Sequence, residues 1–256
     1  MDIQRLRLRS KFQVRQGTFR GAAIFEVESV KQAEQVGRGN ASAVLFAPPV
    51  DHAVVDYSLI SHLRSTIASL PLMLKVRVGH FAEAEEIQKF GMVDFLDGNE
   101  VLGVVDETFI DKHALSIPFV CGCKSLAEGL RRVEEGAQIL RMQGKSDRSV
   151  QFADTVKIVR SISREISDLA GMNESQVRAH ARKIAAPPDL LLETKRQGRV
   201  PVLQFAAGGI ATTADAALMI RLGCDGVFIN SQILNETNAY MKVAKIMDAV
   251  QHAWQV

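Results

Sequence analysis

Short apolar runs alternate with amphipathic stretches along nearly the whole chain. The runs lie at 22–28 (AAIFEVE), 42–47 (SAVLFA), 72–78 (LMLKVRV), 93–98 (VDFLDG), 118–123 (PFVCGC), 139–144 (ILRMQG), 202–208 (VLQFAAG) and 226–231 (GVFINS). They are short and rich in β-branched and aromatic side chains, which predicts eight strands. Helical periodicity fills the spaces between them, at 80–91, 125–136 and 212–223 among others. Gly91, Gly136 and Gly223 end these stretches as helix stops. Ser125 with Glu128 three residues on predicts a capping box, and Thr212 or Thr213 caps the last stretch in the same way. Eight βα units of this length predict an α/β fold, a TIM-type (β/α)8 barrel. A doubly wound sheet is the alternative, weakened by the lack of a GxGxxG after strand one.

One gap breaks the rhythm. Residues 145–201, between strands six and seven, carry helical patterns at 151–168, 173–185 and 188–197, with Pro187-Pro188 separating the last two. These are extra helices inserted within a single barrel domain spanning 1–256, a length that one such barrel fills.

Composition adds mainly exclusions. The 256 residues are 47% hydrophobic and 23% charged, with a formal net charge of +2, which excludes a disordered chain. A charge so near neutrality argues for neither nucleic acid nor membrane as partner. No apolar run reaches the roughly 18–20 residues of a membrane span. The basic start MDIQRLRLRSKF lacks the apolar segment of a secretory signal. Arg5, Arg7 and Arg9, without interleaved aromatics, fit a solvated tail. Three cysteines make no disulfide framework, so a reducing, cytoplasmic location is expected. Cys121 and Cys123 lack a second ligand pair, and the six histidines have no ligand spacing, so no metal is expected.

Barrel geometry gives the polar residues their meaning. Alternate strand positions face inward, and active sites sit at the C-terminal ends of the strands. On strand three Leu72, Leu74, Val76 and Val78 face the helices, whereas Met73, Lys75 and Arg77 face inward. The same alternation turns Glu26, Asp97, Arg141 and Gln143 inward. One mouth then collects Lys75, Glu26, Asp97 and Arg141. Two readings fit it equally. A Schiff-base lysine with carboxylates to shuttle protons is one, and an internal layer of ion pairs without chemistry is the other. Gly208-Gly209 after strand seven and the end of strand eight stand where such barrels often hold phosphate, although a tight turn also needs these glycines. Arg131-Arg132 fits a solvated basic face.

The segments KVRVGHFAEAE (75–85), PFVCGCKSLAEGLRRVEEGAQILR (118–141), KIAAPPDLLLETKRQGRVP (183–201) and PVLQFAAGGIATTADAALMIRLGCDGVFINS (201–231) carry a resemblance. They are similar to the lyase (synthase) subunit of glutamine-dependent pyridoxal 5'-phosphate synthase, the SNZ/PdxS family, over about residues 19–252. The resemblance implies a barrel that assembles into hexamers and dodecamers and receives ammonia from a glutaminase partner. It condenses a pentose 5-phosphate, glyceraldehyde 3-phosphate and ammonia into pyridoxal 5'-phosphate, which is a product and not a cofactor. It further implies that Lys75 forms the first Schiff base, with Glu26 and Asp97 at the positions of the family's two aspartates. It assigns Arg131, Arg132 and Arg160 to substrate binding, and Gly208, Gly209, Asn230 and Ser231 to the phosphate loops.

Departures from the family pattern stand beside these matches. The second catalytic lysine is replaced by Gln143, which has no amine to form an imine; Lys145 lies two residues on, in the loop. The Gly-Thr-Gly-Asn phosphate loop becomes Arg148-Ser149-Val150-Gln151, and the Gly-Ser-Gly of loop eight becomes Asn230-Ser231-Gln232. The acidic D-E-S-E run becomes Asp97-Gly98-Asn99-Glu100, a histidine becomes Phe109, and 47–58 (APPVDHAVVDYS) replaces the lid helix. The family's C-terminal tail has no counterpart after Val256, and the short basic N-terminus argues against glutaminase docking. These losses resemble the non-catalytic plant paralogues that co-assemble with active subunits, except that Lys75 is kept. The expectation is a catalytically impaired, supporting subunit. A working synthase subunit acting through a Lys75 Schiff base is the alternative, and a repurposed sugar-phosphate barrel stands third.

Overall fold

The computed structural model describes residues 19–47, 55–67, 69–77, 79–98, 111–144 and 151–255. The eight strands are β1 (Ala22–Val27), β2 (Ala43–Phe46), β3 (Leu72–Val76), β4 (Phe95–Gly98), β5 (Phe119–Cys123), β6 (Ile139–Met142), β7 (Leu203–Ala207) and β8 (Gly226–Ile229). Each pairs in parallel with the next, and β8 pairs with β1 to close the barrel in sequence order. The (β/α)8 architecture expected from the alternating pattern is the one observed.

Helices return the chain between strands. They are α1 (Val30–Arg38), α2 (Tyr57–Ile67), α3 (Phe81–Phe90), α4 (Leu126–Glu134), α5 (Phe152–Asp168), α6 (Glu174–Lys183), α7 (Pro188–Gln197), α8 (Thr213–Arg221) and α9 (Ala239–Gln255). The inserted segment is therefore helical as expected, with α5, α6 and α7 between β6 and β7. Capping chemistry sets the boundaries. Ser125 accepts a hydrogen bond from the Glu128 amide, and Thr212 with Asp215 forms a full capping box. The Glu128 carboxylate reaches the amide of Lys124 rather than that of Ser125, so the box expected there is displaced by one residue.

Strand alternation divides the interior into two cores. Ile24, Leu45, Met73, Phe95, Val120, Ile139, Phe205 and Phe228 fill the barrel. Phe25, Val44, Leu72, Leu74, Leu96, Leu140 and Ala206 face the helices on the other side of the same strands. Each residue thus has its neighbours two positions away on the same side of the sheet.

The seam at the N-terminal end is tied by Asp225, which is fully buried. Its carboxylate accepts from the Gln204 amide at 2.9 Å and pairs with Arg199. Its carbonyl accepts from the Gly21 amide at 2.7 Å. One residue therefore joins the entries to β8, β7 and β1.

Candidate functional site

β1, β3, β4 and β6 deliver Glu26, Lys75, Asp97 and Arg141 toward the C-terminal mouth, on the parity of the barrel-filling residues Ile24, Met73, Phe95 and Ile139. Lys75 and Asp97 are register partners on adjacent strands. The four charges resolve into two ion pairs of different character. Lys75 Nζ donates to Glu26 Oε2 at 3.4 Å, and about a quarter of the lysine side chain is exposed. Arg141 Nη1 lies 2.7 Å from Asp97 Oδ2, with side-chain exposures of 3% and 0%. The guanidinium carbon also stands 5.5 Å from the centre of the Phe228 ring, within cation–π range.

The two pairs differ in what they can do. Lys75 is a primary amine open to solvent beside a carboxylate, the combination that carbonyl condensation requires. Asp97 and Arg141 have the geometry of a buried structural pair, with each charge compensating the other's loss of water. The expected inward placement of Arg77 is not observed. β3 ends at Val76, and the half-exposed Arg77 side chain turns outward to Glu83, with its Nε 2.9 Å from Oε2. Beyond the last ladder bond nothing enforces the strand's alternation.

Loop seven is built against α5. Gly208 and Gly209 have φ of 97° and 70°, the left-handed region that glycine enters without strain. A Cβ on Gly209 would stand 2.3 Å from the Phe152 amide nitrogen. Thr155, fully buried, donates its hydroxyl to the carbonyls of Ala207 and Gly208, each at 2.8 Å. The glycines thus serve a close backbone approach as well as a turn.

Loop eight meets loop one. Asn230 caps the 3-10 turn Ser231–Asn235, its side chain accepting from the Gln232 amide at 2.9 Å. Ser231 is buried, and its hydroxyl donates to Glu28 Oε1 at 2.9 Å. Glu28 follows β1 on the parity of Ile24 and Glu26, and its amide donates to Gln32 Oε1 at 2.7 Å. Gln32 Nε2 in turn donates to Asn235 Oδ1 at 3.0 Å.

Three expected substrate-binding arginines lie elsewhere. α4 runs away from the mouth, so Arg131 and Arg132 in its last turn sit at the opposite end. Arg131 donates to the Ala185 carbonyl at 2.7 Å, and Arg132 pairs with Glu135 at 3.0 Å. Arg160 is exposed on α5, off the buried face of Thr155, Val159, Ile162 and Ile166. Within this chain, none of the three joins Lys75.

Gln143 follows β6 and donates its amide to the Cys123 carbonyl at 3.1 Å, which keeps it beside the end of β5. The three cysteines are buried, and burial pushes the Cys123 and Cys224 thiols well above their ordinary range. Val78, Asn99, Glu100, Phe109, Lys145, Arg148, Ser149, Val150, the basic N-terminal arginines and most of the replaced lid lie outside the described residues. Sequence reasoning missed Glu28 and Thr155. Alternation along β1 puts Glu28 on the side of Glu26, a signal for the first; nothing local marks the second.

Comparison with known proteins places this architecture. The sequence profile of the SOR/SNZ family matches residues 9–207. The pyridoxal 5'-phosphate synthase-like subunit PDX1.2 of Arabidopsis thaliana is 44% identical over 239 residues, covering 91% of this chain and 76% of that protein. The pyridoxal 5'-phosphate synthase subunit PDX1.3 of the same plant is 39% identical over 257 residues, covering 95% and 82%. Among solved structures, thiamine phosphate pyrophosphorylase from Pyrococcus furiosus superposes with a TM-score of 0.57 at 13% identity, covering 90% of this chain and 95% of that one, a likeness of fold alone. An eight-stranded barrel with Lys75 at its mouth, matched over most of its length by synthase subunits, makes this chain a member of the SOR/SNZ family, the family of the pyridoxal 5'-phosphate synthase subunits.

Proposed function

We propose that the chain is a catalytically impaired subunit of pyridoxal 5'-phosphate synthase that co-assembles with active subunits and supports them in the cytoplasm. Gln143 carries this reading. It stands immediately after β6, where the resemblance calls for the second lysine, and a carboxamide cannot form an imine. The mouth therefore has an amine for the first condensation, Lys75, and none on β6 to receive a later intermediate. Loop eight supports the same reading, since its hydroxyl is already spent on Glu28. The reading calls for no cofactor, pyridoxal 5'-phosphate being the product of the assembly.

Co-expression with an active synthase subunit tests it. The expected result is a mixed oligomer that co-elutes and forms pyridoxal 5'-phosphate, while the chain alone forms none from ribose 5-phosphate, glyceraldehyde 3-phosphate and ammonia. Product from the chain alone would overturn the reading. It would favour the second one, an active synthase subunit working through a Lys75 Schiff base, which the 3.4 Å contact between Lys75 and Glu26 supports. Binding of a glutaminase belongs to that second reading.

A further inference from the structure

We infer that Glu28 sets the charge selectivity of the barrel mouth: it closes the corner between loops one and eight to phosphate, leaving Lys75 to carbonyl compounds without one. The inference deepens the reading above by naming the substrate class that the impaired mouth still admits.

In a barrel of this kind, loops seven and eight hold phosphate when their backbone and hydroxyl donors are free to point at it. Here two donors of loop eight, the Ser231 hydroxyl and the Gln232 amide, are engaged within the protein. The Ser231 hydroxyl, buried, is spent on the Glu28 carboxylate at 2.9 Å. The Asn230 side chain is turned back onto the amide of Gln232. An anion arriving at Ser231 meets another anion, and among the described residues no ion pair neutralises Glu28. The lysine of the mouth, Lys75, is paired with Glu26.

The carboxylate is exposed and tied by the Ser231 hydroxyl, while the backbone that carries it is fixed. The Glu28 amide is bonded to Gln32, and Gln32 to Asn235 at the end of the loop-eight turn. Loop one, α1 and loop eight are thus joined by a chain of hydrogen bonds, which keeps the Glu28 main chain, and so the root of its side chain, beside Ser231. Glu28 is exposed and Ser231 buried, and like charges a few ångströms apart near a protein surface repel by an energy on the order of what decides binding. A neutral carbonyl compound meets no such barrier, since Glu28 then offers only an acceptor.

Calorimetric titration of the full chain with inorganic phosphate, ribose 5-phosphate and ribose tests the inference, using Glu28→Gln. Glutamine keeps an acceptor for Ser231 and removes the charge. The expected result is a gain of at least tenfold in affinity for phosphate and for ribose 5-phosphate, with ribose unchanged. The double variant Glu28→Gln/Ser231→Ala is expected to lose the gain, which places the new site at this corner. Glu28→Thr serves as a second charge-free variant if the glutamine variant folds poorly. Equal affinity in wild type and both single variants, or a gain that Ser231→Ala leaves intact, overturns the inference. Either result is independent of co-assembly and of product formation, on which the functional reading stands.

Discussion

Arg141 and Asp97 form an ion pair sealed inside the barrel, 2.7 Å apart with 3% and 0% of their side chains exposed. They come from β6 and β4, two strands apart, so the pair spans the barrel's interior rather than a single ladder. Removing one partner leaves the other charge buried and uncompensated, at a cost of about 3–5 kcal/mol. Asp97→Ala is therefore expected to lower unfolding stability by that amount in urea. Replacing both at once, as Asp97→Leu/Arg141→Met, is expected to recover most of the loss. A single variant within about 0.5 kcal/mol of wild type contradicts the sealed pair.

Lys75 and Glu26 make the opposite prediction, one of chemistry rather than stability. Both side chains keep about a fifth to a quarter of their surface in water and their contact is long, at 3.4 Å, so the amine is less tightly committed than the sealed guanidinium of Arg141. Borohydride trapping with glyceraldehyde, read by intact mass, is expected to give an adduct that Lys75→Ala abolishes. Glu26→Gln is expected to slow adduct formation by about a hundredfold, the scale of one general acid–base group. An adduct that persists in Lys75→Ala would move the reactive amine elsewhere.

Much of the mouth was legible in the strand pattern, and the reason is geometric. Residues on one parity of a barrel strand share a side, so Glu26, Lys75, Asp97 and Arg141 came together from alternation alone. Alternation does not say which charge meets which. That depends on strand order and register, which put Arg141 with Asp97 and Lys75 with Glu26. It also fails one residue past the ladder, as Arg77 demonstrates by turning outward to Glu83. Helix direction was equally available, since a helix after a strand runs back from the mouth, which sets Arg131 and Arg132 at the far end within this chain. The Thr155 hydroxyl, reaching across to loop seven, left no trace in local sequence because its partners lie 52 and 53 positions away.

The thiols supply a test of the outer core. Cys123 and Cys224 are buried, and desolvation of the thiolate raises both thiols. A thiol must ionise to react, so neither is expected to react with a disulfide reagent at pH 8 in the folded chain. Reaction is expected only as denaturant unfolds it. The sign follows: ionisation at alkaline pH is harder in the folded state, so stability declines once pH passes the thiols' unfolded range near 8.5. Rapid labelling at pH 8 without denaturant would show the outer core open at these positions.

Two glycines separate backbone strain from packing. Gly198 and Gly209 have nearly the same left-handed backbone, with φ of 65° and 70°. A Cβ on Gly198 meets nothing within 4 Å, whereas one on Gly209 stands 2.3 Å from the Phe152 nitrogen and 2.8 Å from its Cα. Gly198→Ala therefore isolates the conformational term, about 1–2 kcal/mol for a left-handed non-glycine residue. Gly209→Ala adds a collision with main chain, which cannot rotate aside as a side chain would. Relief requires loop seven to move off α5, breaking the bonds that Thr155 makes to the carbonyls of Ala207 and Gly208. The hydroxyl has one proton for the two carbonyls, so this tether is worth about 1 kcal/mol. Gly209→Ala is thus expected to cost at least about 1 kcal/mol more than Gly198→Ala in parallel urea titrations. In Thr155→Val, where the tether is already cut, the extra cost of Gly209→Ala is expected to shrink, the non-additivity of groups in contact. Equal costs for the two glycine variants would mean that loop seven does not rest on the start of α5.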